Sequence, residues 1–136
     1  KRYISSISES LNKSEFANVS ATAFINRMDL AYAAADVIIS RAGALSISEI
    51  TLVGKASILV PSPNVSEDHQ TKNAMALVEN KAAILVNDRN TDDLLEKALN
   101  LLNNEKQYAL IAENAKLLGK PNATEDIVKQ VLKLIN

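Results

Sequence analysis

Asp36-Val37-Ile38-Ile39-Ser40-Arg41-Ala42-Gly43-Ala44-Leu45-Ser46-Ile47-Ser48-Glu49 decides the fold. Its first third is a β-branched apolar run, long enough for a short buried strand. One glycine follows, then small and hydroxyl residues, then a helical pattern with a carboxylate in its second turn. The stretch predicts a strand, a tight turn at Gly43 and a helix whose first backbone N–H groups are uncovered. Such N–H groups, together with the helix dipole, suit a phosphate. Gly43 supplies either a positive φ or room for close backbone approach. Glu49, further along the helix, is placed to accept hydrogen bonds from sugar hydroxyls. An ordinary strand-to-helix turn explains the same residues, because one glycine is a weaker signal than a full glycine-rich fingerprint.

Outward from this centre, the flanking segments alternate between two patterns. Ile4, Ile7 and Leu11 fall at helical spacing and predict an amphipathic helix over 1–12, followed by a polar connector over 13–18. Alternation over 19–24 predicts a strand, with Ile25, Asn26 and Arg27 at its carboxyl end, where open α/β sheets collect ligands. Arg27 reads as a solvated cation. Residues 28–35 predict a short helix that Asp36 ends, and 37–39 the next strand. Gly54 is placed to stop the central helix. The run Ala56-Ser57-Ile58-Leu59-Val60 suits a strand buried on both faces of a parallel sheet.

Pro61 and Pro63 break that strand into a loop. A helix is expected from His69-Gln70 to about Glu79, then a strand over 82–86. Three helices follow: one capped by Thr91, one over 105–118 stopping at Gly119, and one carrying Ile127, Val128, Val131, Leu132 and Ile135. Alternation of this kind predicts an α/β fold, a parallel, doubly wound Rossmann-like sheet flanked by helices.

Composition narrows the chemistry. The 136 residues suit one domain, and 47% of them are hydrophobic but only 4% aromatic, so aliphatic side chains must fill the core. Fifteen basic and sixteen acidic residues give a formal net charge of -1, which offers no electrostatic case for nucleic acid. With no cysteine, thiolate catalysis and Cys-based zinc sites are excluded. No apolar run approaches the roughly 20 residues that span a bilayer. The chain begins with Lys1 and is expected to be a piece of a longer protein.

Three groups then fall on one predicted sheet edge: Ile25, the Gly43 turn with Glu49, and the loop into His69 and Gln70. Gln70 and Asn73, three apart at a helix start, can turn their amides to one side. An amide reads a sugar by donating to one hydroxyl and accepting from another; a helix-start polar role serves equally well. His69 is the single histidine and a poor metal candidate. Glu67-Asp68 is set aside as a glycosidase pair, because neighbours in a loop need not face one another.

Three motifs carry a resemblance. They are Phe24-Ile25-Asn26-Arg27-Met28-Asp29-Leu30-Ala31-Tyr32-Ala33-Ala34-Ala35-Asp36, Ser40-Arg41-Ala42-Gly43-Ala44-Leu45-Ser46-Ile47-Ser48-Glu49, and Asp68-His69-Gln70-Thr71-Lys72-Asn73-Ala74. In this order and spacing, across 24–76, they resemble the MurG family of bacterial N-acetylglucosaminyltransferases (glycosyltransferase family 28, GT-B fold). That resemblance implies the C-terminal, donor-binding part of an inverting transferase. Such an enzyme passes N-acetylglucosamine from UDP-N-acetylglucosamine to lipid I, forming lipid II in peptidoglycan synthesis. It implies that the main chain at Ile25 reads uracil and that Gly43, Ala44, Leu45, Ser46, Ile47, Ser48 and Glu49 lie along the nucleotide. Glu49 would hold the ribose hydroxyls and Gln70 those of the N-acetylglucosamine. Met28, Arg41, His69 and Asn73 are further candidates.

The resemblance implies no cofactor and no metal. It places the parent in the bacterial cytoplasm, peripheral on the inner face of the membrane. Lipid I and the membrane would be met by an N-terminal domain absent from this sequence, which would also carry the catalytic base. The family's glycine-rich first loop has no counterpart among Gly43, Gly54 and Gly119. Residue 42 is alanine where serine is also common, and Ala56 stands where proline is usual. Another GT-B enzyme, such as a UDP-N-acetylglucosamine 2-epimerase or the donor half of a split dolichol-linked transferase, remains an alternative. So does a non-catalytic α/β interaction module.

Overall fold

Nine elements order the described part of the chain, and each follows from local residues. The computed structural model describes residues 7, 18–63 and 68–135, and the chain divides into two compact units, Lys1–Ala31 and Tyr32–Asn136. Each unit is described by itself.

In the first unit, the helix expected over 1–12 lies outside the described residues except for Ile7, which is helical. The connector over 13–18 lies outside them except for Asn18. The strand expected over 19–24 is not formed, and the segment is irregular and exposed. Between Val19 and Phe24, both exposed, its side chains are small and give little apolar area to pair. The Thr22 hydroxyl instead donates to the Phe24 carbonyl at 3.1 Å, a local bond that competes with a ladder. Ile25 therefore does not end a strand. It is an exposed residue ahead of helix α1 (Met28–Ala34), whose last turn, from Tyr32 on, belongs to the second unit. At the start of α1, Arg27, the residue just before the helix, pairs with Asp29 through Nε–Oδ1 at 2.9 Å and Nη2–Oδ2 at 2.5 Å. This bonding to Arg27 holds the Asp29 carboxyl below the usual carboxylate range.

In the second unit, β1 (Ile38–Ser40), β2 (Ser57–Leu59) and β3 (Ile84–Leu85) form a parallel sheet in the order β1-β2-β3. Ile38 pairs with Ser57 and Ser40 with Leu59; Ile58 pairs with Ile84. Helix α2 (Ala44–Val53) connects β1 to β2, and α3 (His69–Glu79) connects β2 to β3. Then come α4 (Leu94–Asn103), α5 (Glu105–Leu118) and α6 (Ala123–Ile135). The described sheet winds in one direction, each strand pairing with the next in sequence.

Alternation along β2 splits the core in two. Leu59 packs with Ile50 of α2 and with Ala74 and Leu77 of α3. Ile58 and Val60 pack with Ala98 and Leu101 of α4 and with Ile111 of α5. Helix α5 also places Ala115 in the first cluster, so it joins the two. Tyr108 fastens α5 to the segment entering β1 by donating its hydroxyl to the Asp36 carbonyl at 2.8 Å.

Helix ends follow local chemistry. Gly54 adopts the left-handed conformation (φ 64°, ψ 42°) and its N–H closes on the Ile50 carbonyl, as a C-terminal glycine should. Asn104 caps α5 by accepting from the Gln107 N–H at 3.1 Å. The expected Thr91 cap is corrected. Asp93 holds the cap position of α4, and its carboxylate is engaged by Lys97 at 2.8 Å rather than by helix N–H groups. Helix α6 carries Ile127, Val128, Val131 and Leu132 at helical spacing, with none of them buried. Among the described residues, no helix is long and apolar enough to cross a membrane.

Candidate functional site

The turn from β1 into α2 is built from three residues. Ala42 is fully buried and pins the turn to the core, while Gly43 takes the cap position of α2 with φ -68° and ψ 150°. That is ordinary extended backbone, so the positive φ considered for Gly43 is not used. A Cβ on Gly43 would meet only Ser46 Oγ, at 3.8 Å, an ordinary contact. Neither conformation nor internal packing therefore demands glycine here. The missing side chain leaves the start of α2 open to an approaching group. The Gly43 carbonyl accepts the Ile47 N–H at 3.0 Å, and glycine offers no capping side chain to the N–H groups of the first turn.

The first turns of α2 present a mixed surface. Leu45 is 82% exposed. The Ser48 hydroxyl donates back to the Ala44 carbonyl at 2.9 Å, so it serves the helix. Ser46 and Ile47 are half-buried. Glu49 is exposed one turn further on, and its Oε2 accepts a hydrogen bond from the Tyr32 hydroxyl at 2.8 Å. Burial, then this bond, pushes the Tyr32 phenol up from its ordinary value near 10 to about 12. Glu49 also borders a hollow of about 510 Å³ with Leu52, Leu77, Asn80 and Lys120.

The start of α3 holds both neighbouring loops. The Gln70 amide oxygen accepts the Ser62 N–H at 2.9 Å, gripping the loop that leaves β2. One turn on, Asn73 Nδ2 donates to the Ala42 carbonyl at 3.2 Å, gripping the turn that leads into α2. The two amides thus act from one side of α3, as their spacing suggests. His69 is exposed and opens α3 directly after Asp68, whose φ of 56° is left-handed. The loop residues 64–67, Glu67 among them, lie outside the described residues.

Arg41 turns toward the other side of the strand ends. Its Nη1 donates to the Val60 carbonyl at 3.2 Å and pairs with Asp88. It thereby ties together the ends of β1 and β2 and the loop that follows β3. A second hollow of about 280 Å³ opens there, lined by Ile39, Ser40, Arg41, Val60, Asp88 and Thr91. Among the described residues, no group of three His, Cys, Asp or Glu is gathered for a metal.

The second unit thus brings Gly43 and the start of α2, Gln70, Asn73 and Arg41 to the carboxyl ends of the strands, with Glu49 further along α2 beside the larger hollow. Ile25 and Met28 belong to the first unit. Residue reading missed Tyr32, Ser62 and Asp88. Only Tyr32, a hydroxyl-bearing ring in an alanine-rich helix, carried any signal. Asp88 and Ser62 become partners only through the folded chain.

The glycosyltransferase family 28 C-terminal domain model matches residues 4–131, and the chain belongs to that family. It is 51% identical over 129 residues to a Cytophaga hutchinsonii protein, and 54% over 125 residues to one from Christiangramia forsetii. Both are named UDP-N-acetylglucosamine–N-acetylmuramyl-(pentapeptide) pyrophosphoryl-undecaprenol N-acetylglucosamine transferase. The matches cover 94% and 91% of this chain but 35% and 34% of those proteins. The crystal structure of Acinetobacter baumannii MurG superposes with a TM-score of 0.81 at 34% identity, over 94% of this chain and 38% of that one. This chain spans about a third of the length of the curated relatives it matches.

Proposed function

We propose that this chain is the donor-binding part of an inverting N-acetylglucosaminyltransferase acting on lipid I. The donor is UDP-N-acetylglucosamine and the product lipid II. The observation that carries this reading is the open start of α2: a cap position where glycine serves no internal need, with Glu49 in the second turn.

In the proposed reaction, the muramyl hydroxyl oxygen of the acceptor bonds to the anomeric carbon of the donor. The bond from that carbon to the β-phosphate oxygen breaks, and its electron pair leaves with UDP. The acceptor proton passes to a base outside this sequence. Negative charge grows on the departing diphosphate, and the N–H groups from Ala44 to Ser46 are suited to stabilise it. Glu49 takes the ribose hydroxyls. Gln70, its oxygen engaged by Ser62, offers its amide nitrogen to the N-acetylglucosamine hydroxyls. The main chain of Ile25 reads uracil. The acceptor, the base and the cytoplasmic membrane surface belong to the remainder of the transferase.

Steady-state kinetics of the complete transferase carrying Glu49→Ala or Gln70→Ala test this reading. Each substitution raises the donor KM about tenfold or more, the loss expected for a hydrogen bond to a charged or buried polar partner. Donor KM and kcat both unchanged in the two variants would overturn it.

A further inference from the structure

We propose that Tyr32 is a positioning residue for the donor, fixing the Glu49 carboxylate in the orientation that meets the ribose diol. The proposal rests on the reading that Glu49 takes the ribose hydroxyls, and it adds a residue from outside the stretch that defines the turn.

Glutamate on an exposed helix face samples several rotamers, and a flexible carboxylate is a poor reader of a rigid diol. Tyr32 removes that freedom. Its ring packs against the cluster of Ala42, Ile50 and Leu59, so its hydroxyl is anchored to the core that also positions the start of α2. From this anchor the hydroxyl donates to Glu49 Oε2 at 2.8 Å. Tyrosine and glutamate stand 17 residues apart in sequence and on different helices, so the bond reports tertiary placement rather than helix geometry. A phenol titrating at about 12 remains a donor throughout the neutral range.

The carboxylate keeps enough capacity for sugar. Two carboxylate oxygens offer about four acceptor positions, and Tyr32 takes one of them. The remaining positions accept from vicinal hydroxyls, which an acceptor-only group pairs with well. Losing the Tyr32 hydroxyl would leave the charge in place and release its orientation. The cost would then fall on ribose recognition and not on the chemical step.

The test uses the complete transferase, with UDP-N-acetylglucosamine and its 2′-deoxyribose analogue as donors. Tyr32→Phe keeps the ring and removes the hydroxyl. It should raise the donor KM about threefold to tenfold with kcat nearly unchanged, and do so for the ribose donor alone. With the 2′-deoxy donor the variant and parent should match. On a Glu49→Ala background, Tyr32→Phe should add no further loss. An equal rise in KM for both donors would reduce Tyr32 to a structural role and overturn the proposal, as would no rise for either. Should Glu49→Ala itself leave discrimination between the donors intact, the ribose reading of Glu49 falls and this proposal with it. Should Glu49→Ala abolish discrimination while Tyr32→Phe preserves it, only the role of Tyr32 falls.

Discussion

Gly119 lies against Thr51 so closely that a Cβ built on it would stand 2.8 Å from the Thr51 carbonyl oxygen. The contact is reciprocated by the glycine that ends α2. A Cβ on Gly54 would stand 2.9 Å from the Cβ of Lys116. The glycines that end α2 and α5 thus each let one helix close against the other, and α2 is the helix that carries the candidate site.

Gly119→Ala should therefore destabilise the chain by about 1–3 kcal/mol, because backbone atoms cannot swing aside as a flexible side chain can. Gly54→Ala should also destabilise, by about 1 kcal/mol or more, since its φ of 64° adds left-handed strain to the clash. Urea denaturation midpoints of the two variants check this. Gly119→Ala melting like the parent would show that α2 and α5 slide apart freely.

Gly43→Ala should behave oppositely. Its extended backbone and the 3.8 Å contact to Ser46 Oγ predict a stability change within about 1 kcal/mol. Affinity for UDP should nevertheless fall about tenfold, because a methyl group would occupy the approach to the α2 N–H groups. Calorimetric titration with UDP, beside a thermal melt, separates the two effects. Wild-type affinity in the alanine variant would remove the open helix start from the site.

Tyr32 makes stability depend on alkaline pH. Folding raises its phenol from near 10 to about 12, so the folded state holds that proton more tightly than the unfolded chain does. The resulting stabilisation is fully present below pH 10 and is lost as pH rises through 12. Denaturation curves over this window should show the decline, and Tyr32→Phe should remove this contribution to it. An identical decline in the phenylalanine variant would assign the effect to other groups.

Residue order alone made much of this architecture legible. The central helix stopped by Gly54, the helix from His69-Gln70 to about Glu79, the one over 105–118 stopped by Gly119 and the last one, carrying Ile127 and Val131, are present as expected. Helix bonds join residues four apart and caps act within one turn, so short windows contain the information. The same is true of Gln70 and Asn73, whose shared side follows from helical spacing. The strand expected over 19–24 shows the limit. Its alternation met the local pattern, but a strand exists only when another strand receives its N–H and C=O groups.

The sequence by itself determined the α/β class, the positions of the glycine turns and the residues that mark the family. Tertiary structure decided what those residues do to one another. Arg41 is joined to Asp88 across 47 residues, Asn73 to Ala42 across 31 and Glu49 to Tyr32 across 17. No periodicity encodes such pairs. They arise because the parallel strands, and the helices that cross between them, bring segments distant in sequence side by side.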